Sequence, residues 1–109
     1  MKKQDIQTID RLDEIDQASF QEPQIIYKHS TTCELNQMTW NELQQSDFDL
    51  HYLDLLTYRP ISNAIEARYQ VRHESPQILI IKDGKCIYHV SHRKIKNTEI
   101  KAFLASISA

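Results

Sequence analysis

The run Gln77-Ile78-Leu79-Ile80-Ile81 is followed almost at once by Asp83-Gly84 and a second β-rich run from Lys85 to Ser91. A continuous apolar run this short, opened by Pro76, reads as a strand rather than a helix. Asp-Gly is a two-residue hairpin signal, so the chain is expected to turn back on itself there. A strand apolar at every position is buried on both faces, and a sheet buried on both faces needs a layer of helices on each side. The rest of the sequence must supply those layers.

It does so in alternation. Ile6, Ile9, Leu12 and Ile15 recur at helical spacing among charged residues and predict an amphipathic N-terminal helix. Pro23 breaks the chain before Gln24-Ile25-Ile26-Tyr27-Lys28, a short buried strand by length and composition. Leu35, Met38 and Leu43 then form a helix face, and Asp47 to Leu56 predicts a second strand. Pro60 suits a first helical turn, where its missing N–H costs nothing, and Ile61, Ala64, Ile65 and Tyr69 supply that helix with an apolar stripe. Asn97 or Thr98 can cap a last helix carrying Ile100, Phe103, Leu104 and Ile107. The order is α, then β-α-β-α-β-β-α. It predicts an α/β fold with a mixed four-stranded sheet flanked by helices, plus an extra N-terminal helix. No repeat, linker or low-complexity tract divides the chain, so residues 1–109 are expected to form one domain.

Composition removes several functions. A net charge of −2 and a pI near 6.2 argue against a nucleic-acid-binding module. No apolar run approaches the ~18 residues of a membrane span. Met1 to Asp10 lacks an apolar signal region, and a cytoplasmic location is expected. The one glycine, Gly84, leaves no Gly-rich phosphate loop. Five scattered histidines and two distant cysteines do not make a metal framework, so no metal is expected.

The chemistry centres on Cys33, where the first core strand gives way to a helix through Ser30-Thr31-Thr32. The thiolate is the reactive form of cysteine, and free N–H groups at a helix N-terminus favour it. Lys28 and His29 can add positive potential; Glu34 opposes it. An inert cysteine at a strand end is the competing reading. Ser75-Pro76 precedes the most apolar strand. A cis X–Pro bond there would leave the Ser75 backbone free for an extended thiol ligand, and a plain loop proline is the alternative. Cys86 lies mid-strand and reads as a small core hydrophobe. Without a Cys-x-x-Cys pair, a mixed disulfide on Cys33 must be resolved by an outside thiol. Arg72-His73 and His92-Arg93-Lys94 read either as solvated loop charge or as a rim for an anionic ligand.

Lys28-His29-Ser30-Thr31-Thr32-Cys33, Val71-Arg72-His73-Glu74-Ser75-Pro76-Gln77, Asp83-Gly84-Lys85 and His89-Val90-Ser91-His92 together resemble the YtxJ-type monothiol bacilliredoxins, from about Ile6 to the C-terminus. The resemblance implies a thioredoxin/glutaredoxin-like fold and thiol–disulfide exchange with bacillithiol as thiol co-substrate, with no tightly bound cofactor. Its implied partners are bacillithiol and S-bacillithiolated proteins, the chain acting as a monomer or weak dimer. On this resemblance Cys33 is the nucleophile and Pro76 the facing cis-proline. Thr31, Thr32 and Ser75 contact the thiol ligand, and Lys28, Arg72, His73 and His92 are candidates for its carboxylates. Members of that family commonly continue Thr-Cys-Pro-Ile-Ser, whereas this chain has Thr32-Cys33-Glu34-Leu35-Asn36. The carboxylate favours the helix start but opposes a neighbouring thiolate. That departure sets a non-catalytic redox-sensing or binding module beside the enzyme as the second reading.

Overall fold

The apolar run does form the centre of the sheet. The computed structural model describes residues 1–108, and in it β4 (Gln77–Lys82) lies between β2 (Gln24–His29) and β5 (Lys85–Ser91). Both of its pairings are antiparallel. β3 (Leu50–Asp54) runs parallel to β2 on the other side, and β1 (Lys3–Asp5) runs parallel to β3, giving the order β1-β3-β2-β4-β5. Among the described residues the helices are α1 (Asp10–Ala18), α2 (Glu34–Leu43), α3 (Arg59–Tyr69) and α4 (Asn97–Ile107), with a 3₁₀ turn at His92–Lys94.

Strand alternation sorts the core into two layers. Ile26, Leu79 and Ile81 meet Leu12 and Ile15 of α1 and Ile61, Ile65 and Tyr69 of α3. Ile25, Tyr27, Ile78 and Ile80 meet Leu43 of α2 and Ile100 of α4 on the opposite face. Each such aliphatic side chain, taken fully out of water, contributes about 1.5–3 kcal/mol. At the hairpin tip Asp83 and Gly84 both have positive φ, 53° and 75°, the pattern that matches strand twist. Ser19, at the end of α1, receives both turn amides: Asp83 N–H donates to its carbonyl at 3.1 Å and Gly84 N–H to its Oγ at 2.8 Å. The turn is thereby fastened to the first helix.

Three expectations need correction. The sheet has five strands, not four, because the N-terminal segment divides: Lys3–Asp5 is strand and only Asp10–Ala18 is helix. β1 is exposed at every position, so it carries no apolar signature; backbone pairing makes it a strand, extended by Leu50 N–H to Lys2 O at 3.0 Å and Ile6 N–H to Tyr52 O at 2.8 Å. The second core strand is shorter than Asp47–Leu56, covering Leu50–Asp54. Neither Asn97 nor Thr98 caps α4; the cap residue is Lys96, and Asn97 is the first helical residue. The Asn97 N–H donates instead to the Glu42 carboxylate of α2 at 2.9 Å, and its side chain donates to the Glu42 carbonyl at 2.6 Å. A tertiary contact thus does the work of a local cap.

Candidate active site

Four pieces of chain meet at one end of the sheet: the end of β2, the start of α2, the loop into β4 and the turn after β5. Cys33 occupies the N-cap position of α2 with extended dihedrals, φ −113° and ψ 127°. Its thiol is free and exposed. No side-chain hydrogen bond caps the helix. The sulfur nevertheless lies close enough to the helix start for its pKa to fall below the ordinary thiol value. The Asn36 backbone N–H contributes most, followed by the Asn36 side chain and the Leu35 N–H; Glu34 acts weakly in the opposite sense. Lys28 and His29 are not among the groups that lower it.

The Ser75-Pro76 peptide is cis. Pro76 is buried, and its carbonyl accepts the His92 N–H at 2.9 Å, tying the β4 entry to the turn after β5. Ser75 donates through Oγ to Asn36 Oδ1 at 2.7 Å, which joins the same loop to α2. Thr31 and Thr32 are exposed in the turn before Cys33, with Thr32 Oγ1 3.2 Å from Ser30 Oγ.

The positively charged candidates separate. Lys28 is fully buried on β2, with Nζ 3.2 Å from His73 Nδ1. Burial pushes its pKa down to about 8, with Glu66 opposing. His73 also meets Ser62 Oγ at 3.2 Å through the same nitrogen, and its pKa is lowered by burial first and by Lys28 and Arg59 next. Lys28 and His73 thus face each other inside the protein instead of forming a rim. Arg72 is exposed. Only His92 of the four lines the nearby groove, a hollow of ≈ 430 Å³ between Leu35, Glu74 and the stretch His89–Lys94. Arg93 and Lys94 add cationic groups to its wall, and Glu74 spans it, accepting from Ser91 Oγ at 3.2 Å and lying 3.5 Å from His92 Nδ1. A hollow of ≈ 400 Å³ at the other end of the sheet, beside Pro23, Phe48 and Leu104, holds no cysteine.

Beneath the site lies an aromatic floor. Tyr27 stacks on Trp40 at 5.6 Å and 10°, and His29 sits 5.3 Å from Tyr52. Tyr27 Oη is 2.9 Å from His29 Nδ1 and donates to the Asn36 carbonyl at 3.3 Å. One hydroxyl has one proton, so with that proton on Asn36 the His29 Nδ1 is the donor in the other bond. Burial lowers the His29 pKa and favours the neutral ring. Sequence reasoning passed over Asn36, Tyr27 and Glu74. The spacing of Asn36, one helical turn after Cys33, was the available signal.

Cys86 lies half-buried on β5 against the α1–α3 layer, its Sγ donating to the Tyr88 carbonyl at 3.3 Å, and burial raises its pKa. Among the described residues no group of three His, Cys, Asp or Glu side chains is placed to hold a metal ion. Nor is any helix there long and apolar enough to cross a membrane.

A mixed sheet that presents one exposed thiol of lowered pKa at a helix start, with a cis-proline loop bonded to that helix start, defines a thioredoxin-like thiol redox protein. Solved structures agree on the fold. A thioredoxin-fold protein provisionally described as an oxidoreductase is 22% identical with a TM-score of 0.83, the match covering 92% of this chain and 91% of that one. A thioredoxin N21Q mutant from Halobacterium salinarum NRC-1 is 14% identical with a TM-score of 0.76, covering 99% and 92%. Fasciola hepatica thioredoxin is 11% identical with a TM-score of 0.74, covering 94% and 97%. At these identities the likeness concerns the fold alone. The family comes from the sequence: the model for monothiol bacilliredoxin BrxC matches residues 4–100, and the chain belongs to that family.

Proposed function

We propose that this protein is a monothiol thiol–disulfide oxidoreductase that removes bacillithiol from protein mixed disulfides in the cytoplasm. The observation that carries this reading is the contrast between an exposed Cys33 of lowered pKa and a Cys86 held back on β5. In the first step the Cys33 thiolate attacks the bacillithiol sulfur of the mixed disulfide. A Cys33–bacillithiol disulfide forms, the original S–S bond breaks, and the substrate protein leaves as thiolate. In the second step the thiolate of another bacillithiol attacks that sulfur. Bacillithiol disulfide leaves and Cys33 thiolate returns, so no electrons are gained or lost by the enzyme over the cycle.

The Arg93 and Lys94 cations of the groove wall, offset in part by Glu74, support an anionic thiol, since a cationic surplus raises the local concentration of a carboxylate-bearing ligand. Exposed Thr31 and Thr32 precede Cys33 in the chain, and the loop carrying Ser75 and cis-Pro76 is joined to the same helix start by Ser75 Oγ–H donating to Asn36 Oδ1 at 2.7 Å. The alternative, a non-catalytic binding module, was motivated by Glu34. Glu34 is the smallest of the contributions to the Cys33 pKa and is outweighed, which favours exchange.

Intact mass after mixing with bacillithiol disulfide tests the proposal. One adduct is expected, mapped to Cys33, removed by added bacillithiol, lost in Cys33→Ser and retained in Cys86→Ser. No adduct, or one on Cys86 alone, would overturn the exchange cycle and favour the binding module.

A further inference from the structure

Asn36 follows Cys33 by three residues, the spacing at which a Cys-x-x-Cys protein carries its second thiol. Residues three apart on a helix share a face. Here that place is taken by a buried amide, 1% exposed. Its Oδ1 accepts the Ser30 N–H at 2.8 Å and the Ser75 Oγ–H at 2.7 Å. A backbone N–H can only donate, so the atom it meets must be the amide oxygen, and both lone-pair directions of that oxygen are used. The other end of the amide is therefore an NH₂ with two donors. The Asn36 carbonyl is held in turn by Tyr27 Oη. Two separate segments (the loop before Cys33 and the loop before Pro76) thus fix the side chain, and β2 holds the backbone of the same residue.

We propose that Asn36 is a positioning residue for Cys33, its amide locked by Ser30 and Ser75 so that the NH₂ group serves the Cys33 sulfur and holds it as thiolate. The backbone and side chain of Asn36 are the two largest causes of the lowered Cys33 pKa, ahead of Leu35, which agrees with that geometry. The arrangement offsets the unfavourable Glu34 in a chain that lacks proline after the cysteine. It also separates two duties that one residue performs in a dithiol protein. An amide can stabilise the thiolate, but it has no sulfur with which to attack a mixed disulfide, so resolution is left to an outside thiol. The inference deepens the exchange reading and rests on it only for what the thiolate is used for.

The test is the pH dependence of Cys33 alkylation by iodoacetamide, measured in a Cys86→Ser background so that one sulfur is read, with melting temperature followed alongside. Asn36→Ala is expected to move the midpoint up by about one pH unit, a roughly tenfold loss of thiolate below it. Asn36→Ser, which keeps a hydroxyl donor, is expected to recover part of that shift. Ser75→Ala is expected to shift it less, because Ser30 still holds the amide. A midpoint unchanged in Asn36→Ala, with only the melting temperature lowered, would overturn the proposal. Should Asn36→Ala fail to fold, midpoints unchanged in both Asn36→Ser and Ser75→Ala would overturn it equally. A parent protein with a low midpoint that takes no bacillithiol would overturn the exchange cycle and leave the role of Asn36 standing.

Discussion

Two sulfurs of one chain sit in opposite surroundings. Cys33 faces solvent at the first turn of α2, where backbone amides without helical partners point outward, and its pKa falls. Cys86 lies on β5, the edge strand beside β4, where the α1–α3 layer withdraws water, and its pKa rises. The residue type is the same, and neither shift is caused chiefly by a charged neighbour. What separates them is the balance of hydrogen bonding against burial: hydrogen bonds from the helix start prevail at Cys33, and loss of water prevails at Cys86 over the backbone hydrogen bonds of Tyr88 and Ile80. A cysteine becomes a nucleophile here by standing where a helix begins, and becomes a core residue by standing where helices cover a strand.

The largest expected effect breaks the pair apart in function: exchange is lost in Cys33→Ser and kept in Cys86→Ser. Next comes selectivity of labelling. At pH 7 iodoacetamide is expected to modify Cys33 on the order of a hundredfold faster than Cys86 in the folded protein, the difference disappearing in urea, because thiolate fraction and access both favour Cys33. Equal rates in the native state, read by peptide mass, would remove the contrast.

Lys28 sharpens the burial half of the comparison, since burial disfavours its charged form as it does that of Cys86. For a base the result is a pKa lowered to about 8. Above about 10.5 neither the folded nor the unfolded chain protonates Lys28; as pH falls from there to about 8, the unfolded chain takes up the proton and the folded chain does not. Stability is therefore expected to decline from pH 10.5 to 8, by about 3 kcal/mol from this group. Urea titrations of the parent and Lys28→Met check this: the Lys28→Met protein should lose that part of the slope, and parallel curves would show that Lys28 is not the source. The smallest effect is at Glu34. Glu34→Gln is expected to speed Cys33 alkylation at pH 7 by roughly twofold, the scale of an exposed charge; a slower rate would mean that Glu34 assists the thiol.

Much of the scaffold was legible because burial writes itself as pattern. Ile78–Ile81 and Ile25–Tyr27 read as strands, and Asp83-Gly84 read as a turn and is one. Cys33 was legible as a helix start. β1 was not, because an exposed edge strand has no apolar alternation to show. The burial of Lys28 ran against the general exposure of lysine, and the groups it meets, His73 at a separation of 45 residues and the Glu66 carboxylate, come from distant parts of the chain. Asn36 escaped for the same reason: Ser75, one of the two groups that fix it, is 39 residues distant and meets it only after β4 has folded beside β2.

The three-residue β1 has a consequence unrelated to the thiol. Its Lys3–Asp5 ion pair at 3.3 Å and the Lys3 ammonium 4.2 Å from the Tyr52 ring place charge along the outer rim of the sheet. Behind it, β3 carries Leu50 and Leu53. A bare β3 edge would be a template for another chain, whereas a short, charged strand offers little to pair with. β1 therefore works as a guard against aggregation. Its loosening would be felt first as turbidity in a concentrated sample.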